Sequence, residues 1–317
     1  MWEQRRGAVV EAVHQVDAVL CDAAGRVIEL VGADQTSTFR SAAKPFQLEV
    51  TYPLLPAALR AKLDDADLAL GAASHHGEAI HVERVQSLLS RLERGPQHLL
   101  RGAHEPSNHA AMQALYARGE QASVLHNNCS GKHSFMAAAA IAMGAPVNYL
   151  PEEHPLQRRI RERLDERTGG GVQTTVIDGC GLPCFVLTLS AMARAWAQLA
   201  SDIQRNATSE LGLIRRCDVQ APPAHERQRR VRRLLICEAK VVAKVGAQGL
   251  LCVAFPQQGL GAAIKIDSGV DAARPAATLT LLEQWFPGLV RGDAREQFCM
   301  LTNVAGVRVG EIAARFG

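Results

Sequence analysis

Ser41-Ala42-Ala43-Lys44 sets a hydroxyl and an amine three residues apart, directly ahead of Pro45. On a helix, residues three apart share a face, so the serine oxygen and the lysine nitrogen would be neighbours. Proline is tolerated there only in a first helical turn, which puts Ser41 at a helix N-terminus where the backbone dipole favours developing negative charge. A neutral lysine could take the serine proton and activate it as a nucleophile. Bringing lysine from its usual pKa of ~10.4 to near ~7 destabilises the ammonium by about 4–5 kcal/mol, which burial and a second cation can supply. The bland reading of these residues is an N-cap serine with a surface lysine.

Four further segments concentrate similar groups. His126-Asn127-Asn128-Cys129-Ser130-Gly131-Lys132-His133-Ser134 precedes an apolar helical stretch and reads as a loop feeding a helix N-terminus. Such a density of hydrogen-bonding and chelating groups does not suit core packing. Ile177-Asp178-Gly179-Cys180-Gly181 reads as a strand end followed by glycines that let backbone approach closely. Ser74-His75-His76-Gly77-Glu78 follows the apolar run Leu68 to Ala73, which reads as a strand. Lys244-Val245-Gly246 has the form of an edge-strand lysine facing a cleft. Each alone could be a polar turn or a solvated lysine. Of 35 basic residues, however, only six are lysine, and three of the six (Lys44, Lys132 and Lys244) fall in these segments. A chain that uses arginine wherever a surface charge suffices keeps lysine where a removable proton matters.

The elements that must position these groups are legible in outline. Residues 8–14 and 16–21 alternate as strands do, and a turn at Asp22-Ala23-Ala24-Gly25 leads to a returning strand at 26–31. Helical stretches follow at 81–94, 108–118, 132–143, 154–168 and 190–200. Strand signals return at 249–256 and 261–267, then a helix near 271–286 and a last strand around 306–312. Strands at both ends with helices between them predict an α+β fold, with one antiparallel sheet collecting both termini. The expected organisation is a single domain over 1–317, its sheet region at about 1–40 and 240–317 and its helical, active-site region at about 41–239.

The 317 residues are 47% hydrophobic and 21% charged, as in ordinary globular chains, and the formal charge is only +3. That field gives no reason to expect nucleic acid or an anionic membrane as partner. No apolar run approaches the ~20 residues that span a bilayer, and no secretory signal opens the chain, so a cytoplasmic location is expected. Eight scattered cysteines do not form a disulfide framework, and Cys21, Cys184, Cys237, Cys252 and Cys299 are expected to be small buried hydrophobes. The cluster Arg227–Arg233 reads as a solvated helix face, since no aromatic residues are interleaved.

Taken together, these motifs resemble the asparaginase II family of the Rhizobium etli type. The resemblance runs from Glu11 and His14 through Arg40-Ser41-Ala42-Ala43-Lys44-Pro45, Ala73-Ser74-His75, the Cys-Ser-Gly-Lys-His loop and Asp178-Gly179-Cys180-Gly181 to Lys244-Val245-Gly246-Ala247. It implies a serine β-lactamase/glutaminase-like fold, a homodimer, and hydrolysis of L-asparagine through a serine acyl-enzyme. It further implies two serine–lysine pairs, Ser41 with Lys44 and Ser74 with Lys244, and Ser41 as the nucleophile. Zinc is expected on Cys129, Lys132 and Cys180, although lysine is an unusual zinc ligand. Arg40, His133 and Asp178 are expected to line the substrate pocket. Three departures stand out: Gln248 in place of an expected glutamate, Phe135 in place of a small residue, and a divergent stretch at 201–240. Glutamine hydrolysis, a penicillin-recognising hydrolase and a catalytically weak binding or regulatory homologue are the alternatives.

Overall fold

The computed structural model describes residues 1–205, 240–290 and 298–315. The stretch around Arg227–Arg233 and most of the divergent 201–240 segment lie outside the described residues. The chain forms two compact units, and it passes between them at Ser37/Thr38 and Leu187/Thr188.

The first unit contains Met1–Ser37, Thr188–Gln204 and the described residues from 240 onward. Strands β1 (Trp2–Arg6), β2 (Val9–His14), β3 (Val16–Asp22) and β4 (Val27–Val31) come from the N-terminal end. The three-residue β5 (Thr36–Thr38) follows them. Both termini contribute antiparallel strands as expected, but to two sheets rather than one. β1 and β2 join the C-terminal strands, while β3 and β4 join β8 (Val242–Val245), β9 (Leu250–Phe255) and β10 (Leu260–Ile266) in the order β4-β3-β10-β9-β8. In β9 every residue is buried, and in β10 all but the first. The cause is cover on both faces. Val16, Ala18 and Leu20 share one cluster with Val253, Ile264 and residues of the helix Arg274–Trp285. On the other face, a Cβ at Gly261 would lie 2.1 Å from the Ala197 nitrogen of the helix Leu189–Arg205, so helix and strand meet backbone to backbone there. Gln248, in the turn between β8 and β9, holds a left-handed φ of 60°.

The second unit contains Thr38–Leu187. A single 3₁₀ turn, Arg40–Ala43, runs directly into α1 (Lys44–Thr51), which carries Pro45 in its first turn as the sequence requires. The short α2 (Ala57–Arg60) precedes α3 (Asp65–Ala72). Leu68 to Ala73 is therefore the end of a helix and not a strand. Asp64 and Asp67 form a reciprocal capping box that starts it. α4 (Ala79–Arg91), α5 (His109–Ala117), α6 (Ser130–Ala142) and α7 (Pro155–Thr168) complete the helices, and β6 (Thr174–Ile177) pairs antiparallel with β7 (Pro183–Thr188).

α6 is the central rod. From Ser130 to Ala140 every residue is buried, and glycine and alanine let neighbouring backbones come close. A Cβ at Gly131 would lie 2.2 Å from the Leu70 carbonyl oxygen of α3. Phe135 is fully buried and its ring lies against Gly71 of α3, so the large residue at this position serves helix packing. Glu49 of α1 pairs with both Arg163 and Arg167 of α7. Among the described residues no helix is long and apolar enough to cross a membrane.

Candidate functional site

Lys44 is wholly buried at the start of α1. Its Nζ lies 2.7 Å from Ser74 Oγ, 2.8 Å from Ala73 O and 3.3 Å from Asn128 O. Burial pulls its pKa below the ordinary lysine value; Cys129 and Cys180 oppose that shift and the Lys132 charge assists it. A neutral amine has two N–H donors and one lone pair. Nζ donates to Ser74 Oγ and to the two carbonyls, and Cys129 is a further hydrogen-bond neighbour; only after losing a proton could the amine accept from the Ser74 hydroxyl. The geometry therefore suits a base that receives a proton from Ser74. Ser41, half-buried in the 3₁₀ turn, gives its backbone carbonyl to the Lys44 N–H, and its Oγ is not among the partners of Nζ.

Ser74 follows the C-terminal end of α3, and the residue after it fixes the loop. His75 is buried; its backbone N–H donates to Asn128 O at 3.2 Å. The Gly77 N–H donates to His75 Nδ1 at 3.1 Å, so the ring proton sits on Nε2 and points at Ser130 Oγ, 2.5 Å away. Burial holds the His75 pKa well below its usual value, with His81, Lys44, Arg101 and His76 adding to it, so the ring stays neutral. Gly77 needs its left-handed φ of 69°, and a Cβ there would press on His126 O and Pro106 Cα at 3.0 Å.

Cys129, Lys132 and Cys180, the trio that the resemblance implies for zinc, are all buried in the second unit. Lys132 Nζ donates to Cys180 Sγ at 3.2 Å. The hydrogen bond from Cys180 lowers the Cys129 pKa far below the usual thiol value against the pull of burial, and Lys44 and Lys132 help. The same bond, with burial, raises the Cys180 thiol. Burial disfavours the Lys132 ammonium, but Cys129 and Cys180 outweigh it and the pKa rises. Among the described residues no group of three or more His, Cys, Asp or Glu converges on one point. A metal here would need Lys132 as its third donor. Two sulfurs and one nitrogen, all buried and in contact, fit a borderline-soft ion such as zinc once Lys132 gives up its proton.

Arg40 and Asp178 form an ion pair, Nε to Oδ1 at 2.8 Å. Asp178 stands in the β6–β7 turn and also accepts the Gly179 N–H at 2.8 Å. Arg40 holds a left-handed φ of 46°, a strained position for a residue with a side chain. His133 is fully buried, and its Nδ1 meets Tyr149 OH at 3.0 Å. Burial, assisted by Lys132, Arg101 and Lys44, holds its pKa well below normal.

Arg40, Ser41, Lys44, Ser74, Cys129, Lys132, His133, Asp178 and Cys180 thus all lie in the second unit. Lys244 lies in the first, on the sheet-edge strand β8, with Nζ donating to Val245 O at 3.0 Å. Sequence reasoning missed Tyr149 and Arg101, and it gave Ser130 no role of its own. A buried tyrosine in a chain with only three is a signal of sorts, but nothing marks Arg101 among 29 arginines. Cys184, Cys21 and Cys252 are buried as expected and form no disulfide, Cys299 is half-buried rather than buried, and Cys237 lies outside the described residues.

A desolvated lysine that holds a serine hydroxyl, beside a second buried lysine, is equipment for acyl transfer. Residues 3–314 match the family model of L-asparaginase II, and the chain belongs to that family; it is an amidohydrolase. Among solved structures, a β-lactamase from Mycobacterium bovis is 14% identical with a TM-score of 0.45, over 85% of this chain and 94% of that one. A protein designated Mglu, in its native form, is 15% identical with a TM-score of 0.38, over 88% of this chain and 66% of that one. Its tris and glutamate form is 16% identical with a TM-score of 0.38, over 92% and 64%. The chain thus spans slightly less than two thirds of Mglu. Scores at this level bear on neither substrate nor mechanism. A search among curated proteins found no match.

Proposed function

We propose that the protein hydrolyses the side-chain amide of L-asparagine to aspartate and ammonia, with Ser41 as nucleophile. The observation that carries this reading is the buried Lys44 amine, placed 2.7 Å from Ser74 Oγ with its pKa pulled below the ordinary lysine value by burial. Ser41 Oγ attacks the amide carbon and its proton passes through Ser74 to Lys44. Collapse of the tetrahedral intermediate breaks the C–N bond, and the Lys44 ammonium returns the proton to the leaving nitrogen, releasing ammonia. Water, deprotonated by the same amine, then hydrolyses the ester to aspartate and frees Ser41. The Ser74–Lys44 bond also favours a second reading in which Ser74 itself is the nucleophile. Lys244 is the second lysine that the resemblance implies.

Cys129, Lys132 and Cys180 are proposed to hold zinc, which when bound would act as a Lewis acid and keep both sulfurs as thiolates. A homodimer is proposed on the resemblance alone. Glutamine differs by one methylene, worth only ~1–3 kcal/mol of discrimination, so it belongs in the same assay. Ammonia release from both amides is measured for the wild type and the Ser41→Ala, Ser74→Ala and Lys244→Ala variants, with mass spectrometry of the trapped acyl-enzyme. Asparagine turnover with the adduct on Ser41 is expected. An adduct on Ser74 selects the second reading, and asparagine binding without turnover by folded protein overturns the asparaginase.

A further inference from the structure

Arg274 opens the helix Arg274–Trp285, and its place there is doubly unfavourable for a cation. It is only 5% exposed, and it sits at a helix N-terminus, where the backbone dipole favours negative charge. Burial pulls its pKa below the ordinary arginine value, against the opposing effect of Asp271. A buried charge persists where its partners offset the loss of water. Arg274 Nη1 donates to Asp271 Oδ1 at 2.6 Å and reaches Gly246 O at 3.5 Å. The same Asp271 oxygen accepts the Gly249 N–H at 3.2 Å.

Gly246 and Gly249 bound the turn that joins β8 to β9. The Gly246 N–H closes this turn on Leu250 O at 2.9 Å, and the Ile266 N–H of β10 donates to Gly249 O at 3.1 Å. A Cβ at Gly246 would lie 2.8 Å from Leu250 Cδ2, and one at Gly249 would lie 2.8 Å from Ile266 Cβ. The turn is therefore held by the helix end, by β10 and by its own closure. Lys244 stands just before it. Its neighbour Ala243 belongs to the apolar cluster shared with the helix Arg274–Trp285, so Lys244 points to the other face of the sheet, opposite Cys252 of β9. There it is buried, with Nζ donating to Val245 O at 3.0 Å. That carbonyl and the Gly246 N–H belong to one planar peptide group, so fixing the turn fixes the acceptor on which the lysine amine rests.

We propose that Arg274, with Asp271, is a positioning residue that holds the β8–β9 turn so that Lys244 presents its amine for turnover. This deepens the amidohydrolase reading and rests on the participation of Lys244 in it. All three residues lie in the first unit.

The test is a double-mutant cycle on ammonia release from L-asparagine, with the wild type, Arg274→Gln, Lys244→Ala and the double variant. Arg274→Gln is expected to lower kcat about 10- to 100-fold with little change in KM, as misplacement of a reacting group does, and Arg274→Lys to restore part of the loss. In the Lys244→Ala background the same change should cost less than about 2-fold, because the group that it positions is gone. Losses that multiply, or a wild-type kcat in Arg274→Gln, overturn the proposal. Should Arg274→Gln not fold, Asp271→Ala takes its place in the cycle, since the Asp271 side chain is half-exposed.

Labelling of the amine gives a readout that needs no turnover. Acetylation of Lys244 by acetic anhydride, followed by mass spectrometry, should speed up severalfold in Arg274→Gln, while Lys44, buried in the second unit, keeps its rate. If L-asparagine is not hydrolysed, or if Lys244→Ala turns over like the wild type, the reading of Lys244 fails separately and labelling decides the clamp. A change confined to Lys244 sustains it; no change there, or an equal change at both lysines, removes it.

Discussion

Gly131→Ala adds one methyl group, and its landing place is fixed. Gly131 sits in the first turn of α6, where alanine alone would favour the helix by about 1 kcal/mol. Its Cβ, however, would lie 2.2 Å from the Leu70 carbonyl oxygen and 2.6 Å from the Leu70 carbonyl carbon of α3. Both are backbone atoms, so neither can rotate aside. The helices must separate by about 0.8 Å to bring the oxygen contact even to 3.0 Å. Overpacking of this kind costs roughly 1–3 kcal/mol, enough to exceed the helix-propensity gain. The larger effect falls on the site. α3 leads into Ser74 and His75, and α6 carries Ser130 and follows Asn128. Separation therefore stretches the His75–Ser130 bond and pulls the acceptors of Lys44 apart. Misplacement of about 1 Å in reacting groups can cost about 100-fold in rate. Urea unfolding should show a net loss of about 1–2 kcal/mol, and ammonia release a kcat lowered about 10- to 100-fold. A variant with wild-type stability and wild-type turnover would refute the claim that the α3–α6 approach positions the site.

Three further outcomes follow from the same geometry. Turnover needs Lys44 neutral, so the rate should climb as pH rises through a pKa that burial holds below 10.5; in Lys44→Met that rising limb should vanish and the rate fall about 100- to 10,000-fold. Phe135→Ala empties a fully buried site against Gly71 and should lower unfolding stability by about 3–5 kcal/mol in urea; a loss below about 1 kcal/mol would mean that the ring has room to spare. Elemental analysis should find about one zinc per chain, removed by replacing Cys129 and Cys180 together with serine; zinc retained by that double variant would move the metal elsewhere.

What was legible in the sequence follows the range of the forces involved. Strand-forming residues and the turn signal between them marked β3 and the hairpin strand after it, although β3 is buried on both faces and β4 is largely exposed, so alternation was not what placed them. The division into two sheets was not legible, since pairing partners lie hundreds of residues away. The run Leu68 to Ala73 misled because a short apolar stretch carries no period that separates strand from helix; the Asp64–Asp67 capping box was the overlooked signal. At the site, lysine scarcity drew attention to Lys44, Lys132 and Lys244, which are buried, as is Lys265, which no motif marked. It could not show that Lys44 bonds Ser74 across thirty residues of chain. Arg274 was invisible because its role lies in the turn that it grips, and only coordinates show that Gly246 stands beside it.

The first strand of the chain pairs with the last one described. Trp2 stands opposite Ala314 and Arg6 opposite Gly310, and β3 likewise waits for β10. During synthesis the N-terminal strands therefore leave the ribosome with apolar faces and open edges long before their partners exist. The helical segment between them, with its more local contacts, can collapse while translation continues. The β1–β2 and β3–β4 hairpins can close at once, but both sheets of the first unit are completed only when the C-terminal strands emerge.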